Sequence, residues 1–346
     1  MGVLKEVINR AVIMALALFW ASAVCLQLAY LTITRPMGPK FWHKKKRDTP
    51  PACLTDPALG THKYIQLSEV KIHYVEKGDP SKPLMLFVHG FPEFWFSWRH
   101  QLKEFSKDYW TVALDMRGYG DSEKPSGTEH YQMKHLVNDL KELVEGLGRT
   151  KCILVAHDWG GAVGWQFVRT HPEMIEKYII MDAPHPVGFR EFMISNKKQF
   201  LMSWYIFFFQ VPCLPELFMT MYDMSGFKKM FVNKDSNSKT PVMDEDIEAY
   251  KYTFGKPGAY TPPINYYRAN MGKPVKESKG NTEERTKLQG LLIAGEKDDF
   301  LSIDLLKLAQ KSEPNLLVEV VKKANHFVQQ DDPETVNKLI RNFLKK

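Results

Sequence analysis

At 346 residues the chain is long enough for one large core with an inserted subdomain. Hydrophobic residues make up 44% and charged residues 25%, which excludes disordered, collagen-like and disulfide-scaffold classes. The formal net charge is +7, but six of the basic residues fall between positions 35 and 47 and leave the rest nearly neutral. An extended nucleic-acid-binding face is therefore not expected.

An apolar segment near the N-terminus, residues 11–34, carries no charged side chain. As a helix it would be about 36 Å long, against a hydrocarbon core of about 30 Å. A cleaved signal peptide with an A-x-A-like site at residues 21–23 is the alternative. Because the apolar stretch continues past that site, we expect a retained transmembrane anchor over residues 1–40, with the lipid bilayer as its partner.

More basic residues follow this span than precede it, which favours a cytosolic catalytic domain. We therefore expect a single-pass membrane protein, with the endoplasmic reticulum as the candidate organelle. Residues 41–62 are basic and then rich in proline, which is typical of a linker. The four cysteines, Cys25, Cys53, Cys152 and Cys213, show no disulfide framework.

Strand and helix patterns alternate after the linker. Short apolar runs at 84–90, 110–116 and 151–158 have the composition of strands that are buried on both faces. Helical periodicity separates these runs, which predicts a mostly parallel sheet flanked by helices. We expect an α/β core in two parts, 63–186 and 287–346.

The strand pattern disappears between about residues 187 and 286. This segment is rich in aromatic residues and methionine, and later in proline, glycine and asparagine. An insertion of this length between two sheet strands predicts a helical cap that covers the sheet and shapes an apolar pocket.

A nucleophile elbow is predicted in the segment Ala156-His157-Asp158-Trp159-Gly160-Gly161. It follows a buried strand and opens a helix, so a sharp turn would project Asp158 above the carboxyl ends of the strands. An aspartate at this position could equally cap the following helix. Asp158 alone does not decide between the two interpretations.

Two further residues complete the order of a catalytic triad. Asp298 ends the strand segment LLIAGEKD, and His326 follows the strand segment LLVEVVKKAN. Nucleophile, acid and histidine in this order are typical of the α/β-hydrolases. A single histidine at a strand end is usually structural, and that is the role expected for His157 beside the nucleophile.

A loop at His89-Gly90-Phe91-Pro92 follows another buried strand. The backbone N–H groups of Phe91 and Trp159 would together form an oxyanion hole, although an ordinary Gly-Pro turn has the same sequence pattern. The sequence shows no convincing metal-ligand cluster, so we expect no metal and no cofactor.

Five segments resemble the epoxide hydrolases of the α/β-hydrolase superfamily: HGFPEFWFSWR, DMRGYGDSEKP, HDWGGAVGW, the acid after GEK, and the histidine in ANHFVQQDDP. The resemblance covers about residues 60–346, and the N-terminal span points to a membrane-anchored branch. It implies that Asp158 opens an epoxide and that His326, oriented by Asp298, activates water. No obligate protein partner is implied.

The resemblance also implies two cap tyrosines that hydrogen-bond the epoxide oxygen. They fall on Tyr205 and Tyr267, with Tyr222, Tyr252 and Tyr266 as alternatives. An aromatic cap and a nearby bilayer suggest lipophilic epoxides as substrates.

The chain departs from the family pattern at two positions. Ala156 stands where the family usually has glycine, so its methyl group could tighten the elbow. Phe327 stands where tryptophan is common, which keeps an aromatic ring.

Two other functions share much of this pattern. A haloalkane dehalogenase uses the same aspartate and histidine, but its second halide donor, a tryptophan or an asparagine, would fall on Phe91. Fluoroacetate dehalogenases typically carry arginine where this chain has Trp159. A catalytically silent membrane scaffold with the same fold is the third interpretation.

Overall fold

The computed structural model describes residues 2–34, 41, 43–236, 238–272 and 282–346. Within them, eight strands form one sheet in the order β1-β2-β4-β3-β5-β6-β7-β8. The two pairings of β2 are antiparallel and the other pairings are parallel. The strands are β1 (Thr61–Gln66), β2 (Lys71–Lys77), β3 (Leu84–Val88), β4 (Trp110–Leu114), β5 (Cys152–His157), β6 (Ile175–Met181), β7 (Gln289–Gly295) and β8 (Leu316–Val321). The predicted α/β-hydrolase sheet is confirmed.

Strands β3, β4 and β5 are buried along their whole length. Helices cover both faces of such a sheet, which explains why these strands are continuous apolar runs. By contrast, β1 is a largely exposed edge strand with a polar sequence. It begins within the segment predicted to be a linker, and its sequence has no apolar alternation that would have revealed it. The core helices are α2 (Arg99–Phe105), α3 (Met133–Gly146), α4 (Asp158–Thr170), α13 (Ile303–Lys307), α14 (Val328–Asp331) and α15 (Pro333–Leu344).

Helices alone occupy the described chain between β6 and β7. Aromatic rings pack in their interior: the centroids of Phe231 and Tyr250 are 4.4 Å apart, and Phe227 lies 5.5 Å from Tyr250. These helices are α5 (Phe189–Ser195), α6 (Lys197–Met202), α7 (Trp204–Phe208), α8 (Leu214–Met224), α9 (Gly226–Phe231), α10 (Asp244–Phe254), α11 (Thr261–Asn270) and α12 (Thr282–Lys287).

The N-terminal helix α1 (Gly2–Thr34) lies against this helical layer. Its segment Ile8–Thr34 is long and apolar enough to cross a membrane. Ala17, Ala21 and Val24 are buried on one face, and the ring of Trp20 lies 5.9 Å from that of Trp204 in α7. The apolar helix therefore packs directly against α7.

The chain that follows α1 forms ion pairs with the same helical layer. Arg47 donates to Asp223 at 2.7 Å and to Glu248 at 2.9 Å. The Arg47 side chain is only 8% exposed, so this pair is more than a solvated surface contact. Arg47, which belongs to the basic run after the span, thus links this segment to α8 and α10 of the helical layer.

Candidate active site

Asp158 occupies a sharp turn between β5 and α4. Its φ is +49°, a left-handed conformation that costs a residue with a Cβ atom about 1–2 kcal/mol. Close packing beneath the turn requires glycine two residues later, because a Cβ at Gly160 would lie 2.3 Å from the Val88 carbonyl oxygen. The turn therefore has the geometry of a nucleophile elbow rather than that of an ordinary helix cap.

The loop after β3 contacts the same carboxylate. The backbone N–H of Phe91 donates to Asp158 Oδ1 at 2.6 Å. The Asp158 side chain lies where a side chain at Gly90 would be, since a Cβ there would come within 2.4 Å of Asp158 Cβ. Trp159 is in the first turn of α4, where backbone N–H groups have no partner inside the helix. Phe91 and Trp159 are thus both placed to offer N–H groups beside Asp158.

Asp298 and His326 reach the elbow from the loops after β7 and β8. His326 Nδ1 lies 2.7 Å from Asp298 Oδ2, and His326 Nε2 lies 3.6 Å from Asp158 Oδ2. The other oxygen of Asp298 accepts from the backbone N–H groups of Phe300 at 2.6 Å and Leu301 at 2.9 Å. These bonds orient the imidazole ring toward Asp158.

The charges at the site depend on one another. Burial raises the pKa of the Asp158 carboxyl, but the hydrogen bond and charge of His326 outweigh it, so that pKa is below its ordinary value. Burial lowers the pKa of His326, but Asp298 and Asp158 outweigh it, so the pKa of this imidazole is well above its ordinary value. These opposite shifts favour a carboxylate at Asp158 beside an imidazolium at His326.

Tyr205 and Tyr267 meet over the elbow, with ring centroids 5.9 Å apart. The Tyr267 ring lies 5.0 Å from Trp159 and 5.5 Å from Phe91. Burial, reinforced by the charge of Asp158, raises the pKa of both phenols well above the ordinary value. Both hydroxyls therefore remain protonated at neutral pH and can donate hydrogen bonds.

The alternative cap tyrosines have other partners. The Tyr266 hydroxyl donates to the Arg117 carbonyl oxygen at 2.7 Å. Tyr222 is 42% exposed, and the Tyr252 ring lies beneath Lys256 at 5.1 Å. The structure brings Tyr205 and Tyr267 together at Asp158 and gives the other three different surroundings.

The two departures from the family pattern are both accommodated by packing. Gly164 leaves room for the methyl group of Ala156, because a Cβ at Gly164 would lie 3.2 Å from Ala156 Cβ. The Phe327 ring packs 4.5 Å from Phe231 of the helical layer. Neither residue disturbs the elbow.

A buried carboxylate beneath the site was not identified from the sequence. Glu93 is fully buried and accepts from His157 Nδ1 at 2.7 Å, Gly90 N at 3.0 Å, and the side-chain amides of Gln329 at 2.9 Å and Gln330 at 2.8 Å. Burial raises the pKa of Glu93, but the charge of His157 outweighs it and leaves that pKa below its ordinary value. Glu93 therefore contacts three segments at once. These are the elbow through His157, the loop of residues 89–92 through Gly90, and α14, which follows His326, through Gln329 and Gln330. The sequence feature that could have revealed this residue is its position, since Glu93 directly follows the HGFP segment.

His157 has the structural role expected from its position. Its Nδ1 faces the Glu93 carboxylate, and its Nε2 faces the backbone carbonyl oxygen of His326 at 2.9 Å. The two ring nitrogens of His157 thus face oxygen atoms on opposite sides of the ring. His157 therefore links the buried Glu93 carboxylate to the backbone of His326 and positions the loop that carries that histidine.

We expect Glu93→Ala to lower the free energy of unfolding by about 3–5 kcal/mol, because it leaves the His157 ring, the Gly90 N–H and two buried glutamine amides without this partner. Thermal unfolding of the detergent-solubilised protein measures this effect. Glu104→Ala is the matched control: it removes a partly exposed ion pair with Arg341, which should cost less than about 1 kcal/mol. Equal losses in the two variants would contradict the assigned role.

Comparison with known proteins identifies the family of the chain. Residues 83–333 match the alpha/beta hydrolase fold family. Epoxide hydrolase 4 of Homo sapiens is 38% identical over 344 residues, which cover 95% of this chain and 93% of that protein. Epoxide hydrolase 3 of Xenopus tropicalis is 40% identical over 342 residues, 95% of this chain and 91% of that protein.

Solved structures give the same result. A Bacillus megaterium epoxide hydrolase in complex with an inhibitor has a TM-score of 0.73 at 36% identity, and covers 82% of this chain and 100% of that one. An epoxide hydrolase from Vigna radiata has a TM-score of 0.68 at 28% identity, over 82% of this chain and 98% of that one. The resemblance noted in the sequence is confirmed. The chain is a hydrolase of the α/β-hydrolase superfamily and belongs to its epoxide hydrolases.

Proposed function

We propose that the protein opens epoxides to vicinal diols through an ester on Asp158. The observation that carries this proposal is the Asp158 carboxylate, which lies 3.6 Å from His326 and beneath two phenols. An Asp158 oxygen attacks one ring carbon, the C–O bond of the strained ring breaks, and the carbon becomes esterified to the enzyme. Tyr205 and Tyr267 donate hydrogen bonds to the leaving oxygen, and one phenol transfers its proton to form the alcohol. The proton that His326 gives up in the ester restores that phenol.

Water then hydrolyses the ester. His326 removes a proton from water, and the hydroxide attacks the carbonyl carbon of the Asp158 ester. The negative charge that develops on the ester oxygen is stabilised by the N–H groups of Phe91 and Trp159. When this intermediate collapses, its hydroxyl proton passes to the departing oxygen of the diol, the Asp158 carboxylate is restored, and His326 keeps the proton that it removed from water.

The first half-reaction prepares the second through electrostatics. In the resting enzyme the charge of Asp158 contributes to the raised pKa of His326. Esterification removes that charge, so the pKa of His326 falls and a neutral imidazole becomes available as the base. The same histidine thus supports an ionised nucleophile first and accepts a proton from water afterwards.

This sequence of charges predicts different pH dependences for the two steps. Ester formation should be nearly constant around neutral pH, because the pKa of Asp158 is lowered and the pKa values of both tyrosines are raised. Ester hydrolysis should fall as the pH drops through the pKa of His326 in the ester, since protonation removes the base. Rapid-quench single-turnover kinetics separates the steps. An acid limb on ester formation alone would contradict the proposal.

The test of the overall function is diol formation from a panel of epoxides, with halide release from haloalkanes measured in parallel. We expect diols from the parent protein, none above background from Asp158→Ala, and no halide from either. Halide release without diol would assign a dehalogenase. Inactivity of the parent on every substrate, with no adduct formed, would favour a silent scaffold.

We further propose that α1 is a retained membrane anchor and that the substrates are lipophilic. Ile8–Thr34 can span a bilayer, and the same helix packs against α7, which carries Tyr205. Epoxides dissolved in the bilayer would thus be held close to the catalytic helices. Comparing kcat/KM for long-chain fatty epoxides with that for small polar epoxides in proteoliposomes tests this; equal values would count against it.

A further inference from the structure

A second buried aspartate lies beside the triad. Asp182 directly follows β6, is completely buried, and has a φ of +38°, which residues with a Cβ rarely adopt. Its backbone N–H donates to the Ile293 carbonyl oxygen of β7 at 3.0 Å, and its Oδ1 accepts from Gly295 N–H at 2.9 Å. Asp182 therefore joins the ends of β6 and β7 at the point where the loop to Asp298 begins.

The other oxygen of Asp182 faces a second carboxylate. Among the described residues, Oδ2 has no hydrogen-bond donor. One side-chain atom from each of Asp182, Asp298 and His326 lies within 4.8 Å of the other two, so the carboxyl groups of Asp182 and Asp298 are close neighbours. Two carboxylates so close in a buried site cannot both be ionised at ordinary cost, so one of them keeps a proton.

The hydrogen bonds decide which of the two carboxyl groups, that of Asp182 or that of Asp298, keeps the proton. Three groups surround the Asp298 carboxylate: His326 Nδ1 and the N–H groups of Phe300 and Leu301. Within the described part of the chain, the Asp182 carboxyl group accepts from a single donor, the Gly295 N–H. We infer that Asp182 is a neutral carboxylic acid whose Oδ2–H donates a hydrogen bond to Asp298 and so positions the acid of the triad.

Electrostatics supports this geometry. Among the charges that act on Asp182, that of Asp298 disfavours its ionisation and that of His326 favours it. Burial, reinforced by the charge of Asp298, raises the pKa of Asp182 well above the ordinary value. A cation shared by the three groups would be the alternative arrangement, but it would have to displace the 2.7 Å contact between His326 Nδ1 and Asp298.

The consequence is specific to ester hydrolysis. With Asp182 neutral, Asp298 presents one negative charge to His326 and is held facing Nδ1. In the ester, where Asp158 carries no charge, His326 then faces one buried carboxylate, Asp298, instead of two, and can act as a neutral base. Asp182 is thus a positioning residue, and this inference rests on the roles proposed above for Asp298 and His326.

The experiment compares Asp182→Asn with Asp182→Ala in single-turnover kinetics of the full-length protein. Asparagine keeps a neutral donor to Asp298 and an acceptor for Gly295 N–H, so hydrolysis should stay within about threefold of the parent with an unchanged pH profile. Alanine removes the hydrogen bond to a charged group, and hydrolysis per active site should slow by about 10- to 100-fold. Ester formation should be little changed in both, because it precedes the step that uses His326 as a base.

Three results would overturn the inference. If Asp182 were ionised, Asp182→Asn would remove a charge near His326 and move the acid limb of hydrolysis to lower pH. If Asp182 only supported the fold, Asp182→Ala would lower the melting temperature and leave hydrolysis per active site unchanged. If a metal ion were held there, chelators would slow the parent but not Asp182→Ala.

Infrared spectroscopy tests the proton directly and needs no turnover. The parent should show the C=O band of a protonated carboxylic acid at neutral pH, and Asp182→Asn should lose it. Asp299→Asn, which changes an exposed aspartate next to Asp298, is the matched control and should keep the band. If the parent forms no ester at all, the proposed function fails, yet this band still decides whether Asp182 is protonated.

Discussion

His326→Gln should convert the enzyme into a form that takes up one epoxide and then stops. Asp158 keeps its hydrogen bond from Phe91 and can still be alkylated, but glutamine cannot accept a proton from water. Loss of a general base costs about 10²- to 10⁴-fold in rate, so the ester should accumulate. Intact mass should rise by the mass of one epoxide, and peptide mapping should place the addition on Asp158.

The control for this trapping experiment is a substitution of the proposed nucleophile, Asp158. Asp158→Asn combined with His326→Gln should remain unmodified under the same conditions. An adduct that persists in the double variant, or one mapped to another carboxylate, would exclude Asp158 as the nucleophile. Sustained diol production by His326→Gln would exclude His326 as the base.

Replacing both Tyr205 and Tyr267 by phenylalanine should suppress ester formation. Each phenol is expected to donate to the epoxide oxygen, and together they supply the acid for a leaving alkoxide. Loss of acid catalysis costs about 10²- to 10⁴-fold, and each single variant should lose less than the pair because the remaining phenol still donates. The rate of adduct formation in the His326→Gln background measures this step alone.

Tyr252→Phe is the matched control for this pair. It removes a hydroxyl of the same kind from the same helical layer, but from a ring that lies beneath Lys256 rather than over the elbow. Its rate of ester formation should equal that of the parent. If Tyr252→Phe and the double variant lower the rate of ester formation by the same factor, the hydroxyls act through the fold of the helical layer and not on the epoxide.

Much of the fold could be predicted because its strands and its elbow depend on residues that are neighbours in the sequence. Continuous apolar runs identified β3, β4 and β5, since strands buried on both faces need apolar residues at every position. The small residues of the elbow identified Asp158, because its turn is formed by neighbours along the chain. The order of Asp158, Asp298 and His326 then followed from loops that each succeed a predicted strand.

Other parts depended on contacts between distant segments. The edge strand β1 has a polar sequence and is recognised only through its pairing with β2. Tyr205 could be placed only loosely by resemblance, because the packing of α7 and α11 decides which cap tyrosines meet over the elbow. Arg47 belonged to a basic run, and only the folded structure pairs it with Asp223.

By itself, the sequence determined the α/β architecture, the elbow aspartate and the apolar N-terminal span, since each depends on the periodicity or turn chemistry of one continuous segment. Only the tertiary structure decided that Glu93 holds three loops together and that Asp182 faces Asp298. A carboxylate has no sequence pattern that reveals its partner or its protonation. Both are settled when distant strand ends meet and exclude water from the groups between them.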